Sequence, residues 1–184
     1  MSEVLIIGDG PGGLSAALLL AKNDMGVKVF GQNETLMHKA MLYNYLGIKK
    51  IPGPEFMEIA RSQVTGFGAE LHDVEVTQVE KADGGFAVTD ANGARHEARY
   101  LIIAIGPNAA LVENMHLAKG DGGIEADRDG RTQIPGLYVI GWTSRLRKIQ
   151  LAISVGDGAV AALDILSAEA GEEMHDFDLI EDEE

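Results

Sequence analysis

Val4-Leu5-Ile6-Ile7-Gly8-Asp9-Gly10-Pro11-Gly12-Gly13-Leu14-Ser15-Ala16-Ala17-Leu18-Leu19-Leu20-Ala21 decides how the rest of the sequence is read. Four consecutive apolar residues suit a strand covered on both faces, as in a parallel sheet. The run from Leu14 to Ala21 is rich in helix formers. Between them, Gly8, Gly10 and Gly13 fit G-x-G-x-x-G. In that pattern the first glycine allows the tight turn out of the strand. The second lets the backbone approach a pyrophosphate, and the third lets helix and strand pack closely. A helix N-terminus supplies free N–H groups and a positive dipole end. Gly26 reads as the stop for the helix, and Val27-Lys28-Val29-Phe30 as a second strand. The motif therefore sits in a β-α-β unit, the context that separates it from a merely glycine-rich turn.

Beyond this unit, residues 31–53 read as irregular. Pro54 opens a helix to about Gly66. Residues 69–100 change to strand period. Asp83-Gly84-Gly85 and Asn92-Gly93 mark turns of a three-stranded antiparallel meander. Tyr100 to Ile105, closed by Gly106-Pro107, and Leu137 to Gly141 read as buried parallel strands. Residues 107–136 read as loops, and Ile149 to about Ala168 as a closing helix with Gly156 and Gly158 inside it. The expected fold class is α/β: a Rossmann-like three-layer domain with an inserted antiparallel meander, spanning residues 1–168.

Composition narrows function. The 184 residues include no cysteine, which excludes thiolate zinc sites, cysteine nucleophiles and a dithiol redox pair within the chain. The acid content, 29 against 15 bases, argues against a nucleic-acid partner. Nine of those acids and none of the bases lie in 169–184, which leaves 20 acids against 15 bases elsewhere. The tail reads as a disordered, solubilising segment, with partner binding as its alternative. The apolar runs of the sequence fall short of the roughly 20 residues a membrane span needs, so no membrane is expected. With no signal segment before the first strand, the expected location is cytoplasmic.

The whole pattern resembles the FAD domain of the thioredoxin reductase-like flavoproteins, with the NADPH domain missing. Besides the loop, Asn44-Tyr45-Leu46-Gly47 is similar to that family's "N-[aromatic]-P-G" stretch. Pro52-Gly53-Pro54-Glu55-Phe56-Met57 and Gly68-Ala69-Glu70 look like its next helix and strand. Ile102-Ile103-Ala104-Ile105-Gly106 resembles its "iiATG" strand. Thr132-Gln133-Ile134-Pro135-Gly136-Leu137-Tyr138-Val139-Ile140-Gly141 resembles its "T-s-v-P-G-v-f-A-a-G-D" element. Gln150, Gly156, Gly158, Ala161 and Ala162 keep the spacing of its flavin-side helix. Where that family inserts its NADPH domain, only Pro107 to Gly120 intervene.

The resemblance implies FAD as cofactor. Its contacts would come from Gly8, Gly10, Pro11, Gly12, Gly13, Gly31, Gln32, Ala104, Ile105, Gly106, Gly141, Trp142, Gln150, Leu151 and Ala152. It also has departures. The acid expected at the end of the second strand is Gly31, with Gln32, Asn33 or Glu34 as substitutes for holding a ribose. The aspartate after the last strand's glycine is Trp142, and no "G-G-Q" segment appears in Gln32–Met41. Trp142 reads either as packing on flavin or substrate or as a core aromatic, and Gln150 as a flavin contact or a helix-start polar residue. Arg145, Arg147 and Lys148 read as an anion-steadying cluster or a solvated loop, and His38 as an acid–base group or a surface residue. Tyr43 and Tyr45 read as packing residues. No histidine has metal-ligand spacing.

The implied activity is that of an FAD-dependent oxidoreductase or electron carrier. It would be reduced by a free nicotinamide cofactor or a partner and would not be a self-sufficient disulfide reductase; apolar surface left by a missing second domain points to a homodimer. A non-catalytic flavin or nucleotide module, and an NAD or ADP-ribose binder, are the alternatives.

Overall fold

The computed structural model describes residues 3–180. Strand β1 (Val4–Ile7) leads into helix α1 (Pro11–Lys22) and strand β2 (Val27–Gly31). A 3-10 turn at Leu36–Lys39 and a two-residue hairpin, β3 (Met41–Leu42) and β4 (Ile51–Pro52), occupy the segment expected to be irregular. Helix α2 (Gly53–Gly66) and strand β5 (Glu70–Asp73) follow, then β6 (Val76–Ala82), β7 (Gly85–Asp90), β8 (Arg95–Ala98) and β9 (Tyr100–Ile103). A 3-10 segment (Ala110–Met115) and a small hairpin, β10 (Lys119–Gly120) and β11 (Gly123–Ile124), precede β12 (Leu137–Val139) and α3 (Leu151–Ala170).

The central sheet has the order β12-β9-β1-β2-β5, and all its pairings are parallel. The meander β6-β7-β8 is antiparallel. Asp90 secures its second turn, where Oδ1 accepts from the N–H groups of Asn92 and Ala94 at 2.9 and 3.0 Å.

The unbroken apolar run of β1 has a direct physical cause. Val4 and Ile6 pack with α1 residues Leu14, Ala17 and Leu20 and with α3 residues Ala161 and Ile165. Leu5 and Ile7 face the other way, toward Val79, Phe86 and Val88 of the meander. Both faces of the strand are dry, so alternation disappears. The result is the expected three layers: helices, parallel sheet, meander.

Helix α3 runs 20 residues and contains an 18-residue window with a mean hydropathy of 1.6, so by length and composition alone it is long and apolar enough to cross a membrane. The sequence expectation that no such stretch exists is therefore corrected. In the fold, its Gly158, Ala161, Ala162, Ile165 and Leu166 are buried within the helical layer. The helix also passes the expected end at Ala168. Glu169 accepts from Tyr100 Oη at 2.7 Å and from Arg99 Nη1 at 2.9 Å, which ties its last turn to β9. Burial, with the Glu169 hydrogen bond, pushes the Tyr100 phenol up to about 12.

Helix α3 takes in Glu169 and Ala170 of the acidic segment, and Gly171 follows in the left-handed region at φ +73. Beyond Gly171, the Met174 N–H donates to Ser167 Oγ at 3.0 Å, and Lys22 Nζ donates to Asp176 and, at 2.6 Å, to Asp178. Neutralisation by Lys22 is the physical reason the first part of the acidic segment can lie against α1. Residues 181–184 of the tail fall outside the described residues.

Tyr138 is 4% exposed, and its hydroxyl donates to Asp164 Oδ2 at 2.7 Å; Arg131 Nε donates to the same oxygen at 2.7 Å. Burial pushes the Tyr138 phenol well above its usual range. Burial also opposes the charge on Asp164, but the Arg131 guanidinium and the Tyr138 hydroxyl outweigh it and hold the carboxyl below the usual range. A depressed folded pKa means stability that is complete above the unfolded value, ~4, and is lost as pH falls through the folded value. Asp164→Ala should therefore destabilise by roughly 2–3 kcal/mol at pH 7, because it strands a buried hydroxyl. The difference from the parent should shrink in acid. Urea titrations at pH 7 and pH 3 check this; an equal difference at both pH values would refute it.

Candidate nucleotide site

The site lies at the carboxyl ends of β1, β9 and β12, where ligands bind in open parallel sheets. The backbone itself requires Gly8: its φ is +109, and a Cβ there would sit 2.2 Å from Ala104 O. A Cβ on Gly13 would sit 1.9 Å from Gly8 O, and one on Gly12 3.1 Å from Ser154 O. These contacts draw the loop against β9 and α3, and Ser15 Oγ adds a hydrogen bond to Val155 O at 2.8 Å.

Gly10 differs. A Cβ there would meet only Thr35 Cγ2, at 3.9 Å, and its φ of −73 suits any residue. Among the described residues nothing forces glycine at position 10, which leaves open backbone beside the helix. Gly10 is the N-cap of α1, Pro11 stands in the first turn, and no described side chain caps the end. The N-terminal N–H groups of α1 therefore remain for an anion.

At the end of β2, Gly31 is only half-buried, and the exposed Gln32 and Glu34 flank Asn33. Asn33 adopts φ +54, and its N–H donates to Asp9 Oδ2 at 2.8 Å. Arg61 Nη1 on α2 donates to the same oxygen at 2.8 Å, while Nη2 reaches Asp73 Oδ1 at 2.5 Å. Asp9 and Arg61 are contacts that the motif reading passed over. Arg61 shows in sequence only as charged helix spacing.

On the other side, Ala104, Ile105 and Gly106 extend β9, with Gly106 at φ +72. The Trp142 ring lies 4.0 Å from where a Gly106 Cβ would stand. Trp142 is thus brought to the strand ends, half-buried. Gly141 adopts φ +61, and its N–H donates to Asp157 Oδ2 at 3.2 Å.

Gln150 is the exposed N-cap residue of α3, and its Oε1 accepts from Asn44 Nδ2 at 3.4 Å. Leu151 and Ala152 begin the helix, with Ala152 exposed. Of the basic cluster, Arg145 is committed to Asp157 through Nε and Nη2 at 2.7 and 2.9 Å. Arg147 reaches Asp121 at 3.3 Å on the surface. The anion-steadying reading of Arg145 is therefore corrected: α3 supplies its counter-charge. His38 Nε2 lies 3.1 Å from Asn33 Oδ1. Tyr45 packs edge-on to Phe56 at 5.8 Å, whereas Tyr43 is exposed beneath Lys50 and is no core residue. A cavity of about 340 Å³ is bounded by Asp127, Arg128, Gly130, Ser144, Arg145 and Asp157, and none of Gly8–Gly13 lines it.

The pattern of the pyridine nucleotide-disulphide oxidoreductases matches residues 2–106 and, in an overlapping match, residues 48–156. The chain belongs to this family. Members of the family use FAD. A bifunctional thioredoxin reductase/thioredoxin of Mycobacterium leprae is 35% identical over 115 residues, covering 60% of this chain and 25% of that protein. A thioredoxin reductase of Streptomyces coelicolor is 37% identical over 109 residues, covering 56% and 34%. The chain thus spans a quarter to a third of the length of these relatives.

The fold is that of solved thioredoxin reductases. The atypical enzyme from Desulfovibrio vulgaris Hildenborough superposes with a TM-score of 0.84 at 20% identity, covering 94% of this chain and 99% of that one. The Lactococcus lactis enzyme superposes with a TM-score of 0.85 at 17% identity, covering 93% and 100%.

Proposed function

We propose that this chain is a single FAD-binding unit that works as an oxidoreductase or electron carrier, with a free dihydronicotinamide or a partner protein as reductant. The observation that carries the reading is Gly10, a glycine the protein's own packing does not need, beside an uncapped helix N-terminus. Gly8, Gly10, Gly12 and Gly13 would hold the pyrophosphate, and Ala104–Gly106 and Trp142 would border the ring. FAD, when bound, supplies hydride and electron transfer. The protein's part would be to orient it and exclude water, the latter through Trp142 beside Gly106. Without cysteine, a dithiol step would need a partner's thiols.

The second reading, a flavin-binding module without turnover, draws on two observations. Gln150 turns to Asn44, and Asp157 already occupies the Gly141 N–H. Rapid mixing of the FAD-loaded protein with NADH or NADPH separates the two. Bleaching of the flavin within seconds supports the carrier, and a flavin that remains oxidised for minutes supports the module. We also propose a homodimer, because Leu36, Met41, Tyr43 and Leu46 are exposed within one segment. Light scattering of the same sample would read twice the chain mass.

A further inference from the structure

The end of β2 lacks the acid that G-x-G-x-x-G folds use to hold a ribose hydroxyl. The space beside it is nevertheless filled. A Cβ built on Gly31 would lie 2.2 Å from Asp9 Cγ and 2.3 Å from Asp9 Oδ1. A carboxylate therefore stands where the side chain of an acid at position 31 would begin, but it arrives from the phosphate loop. It is also held in place. Asn33 N–H and Arg61 Nη1 both donate to Oδ2, each at 2.8 Å, and the Asp9 side chain is only 9% exposed. Oδ1 takes no hydrogen bond from the described residues and retains some contact with solvent.

Electrostatics constrains what this corner accepts. An acid in a phosphate loop would ordinarily weaken pyrophosphate binding. Arg61 offsets it, but Arg61 is shared with Asp73 and its side chain is only 17% exposed. Two carboxylates and one guanidinium leave a net charge of −1 at the end of β2. Such a corner favours hydroxyl donors and opposes a further anion.

We infer that Asp9 is the ribose-binding acid of this site, supplied from the loop instead of from β2. It restricts the site to nucleotides whose adenosine ribose carries free hydroxyls. The assignment rests on the nucleotide reading above. Gly31 follows from it, since any larger residue would displace the carboxylate. The two positions should therefore behave as one.

The test titrates FAD, ADP and 2′-phosphorylated ADP against the full chain, Asp9→Asn, and the exchange variant Asp9→Gly/Gly31→Glu, in which glycine at position 9 also removes the Cβ that would stand 2.7 Å from the new one. Asp9→Asn keeps the shape of the side chain and should weaken FAD and ADP about tenfold or more. Its unligated melting temperature should fall by several degrees, because the neutral amide gives up the buried ion pair with Arg61, so affinity is read well below that temperature. The exchange returns a carboxylate to the strand end and should restore affinity to within about threefold of the parent, since the lost hydrogen bond is regained. The 2′-phosphorylated ligand should bind the parent at least tenfold more weakly than ADP, because of charge repulsion, and Asp9→Asn should narrow that gap.

Asp9→Asn binding FAD and ADP as tightly as the parent, or a folded exchange variant without affinity, would overturn the assignment. Equal binding of ADP and its 2′-phosphorylated form would overturn the exclusion. Asp9-dependent binding of ADP without any binding of FAD upholds Asp9 and overturns the flavin reading. A parent that binds neither overturns both.

Discussion

Gly13→Ala and Gly10→Ala, two changes three residues apart in one loop, are expected to fail in different ways. The methyl of Gly13→Ala would enter at 1.9 Å from Gly8 O and 3.3 Å from Ile6 Cγ2. Backbone cannot yield as a side chain does, so α1 must move off β1 or the loop must reshape. The expected loss is about 3–5 kcal/mol, at the upper end for a single overpacked position. The methyl of Gly10→Ala meets only Thr35 Cγ2 at 3.9 Å. Its stability should change by less than about 1 kcal/mol, a helix-cap effect at most. Its nucleotide affinity should nevertheless fall at least tenfold, because the methyl occupies the ligand's approach to the backbone. Urea denaturation and FAD titration of both variants read this contrast. A Gly13→Ala as stable as the parent would contradict the loop geometry. A Gly10→Ala that binds normally would contradict the placement of the pyrophosphate.

The second large effect divides the two glycines inside α3. A Cβ on Gly158 would sit 2.2 Å from Gly12 O and 3.0 Å from Ala16 N, so Gly158→Ala must push α3 away from α1. We expect a loss of about 2–4 kcal/mol. Gly156 is exposed and a Cβ there meets no described atom within 4 Å. Gly156→Ala should therefore gain about 0.5–1 kcal/mol from helix propensity and a less flexible unfolded chain. For a domain of this size the two variants should melt on the order of 10 °C apart. Calorimetry on both checks it; variants that melt together would mean that α1 and α3 do not meet at Gly158. Close approach to another backbone, one reason for a glycine inside a helix, is present at Gly158 and absent at Gly156 among the described residues.

Other parts of the sequence reading divide along similar physical lines. The β1 run, α1 and the meander were readable because their patterns repeat over several residues: two-sided burial, strong helix formers, paired turn signals. The 3-10 turns and two-residue hairpins in 31–53 and 107–136 are too short to carry a period, and they were read as loops. Helix α2 begins one residue early, whereas both ends of α3 lie two residues further along than its pattern suggests, and at the second end a contact distant in sequence, Glu169 with Tyr100, decides it. The same distance hid the Asp9–Arg61 pair. Its members lie 52 residues apart, and nothing local to either announces the other. The glycine loop, by contrast, was visible because its requirements are mostly local: a positive φ at Gly8 and the approach of Gly13 to Gly8.

The most direct test of the account is to denature the purified protein and identify by mass what it releases. The account predicts FAD, near one per chain after saturation with FAD. NAD, ADP-ribose or FMN released in its place, or no flavin retained after saturation, would contradict it.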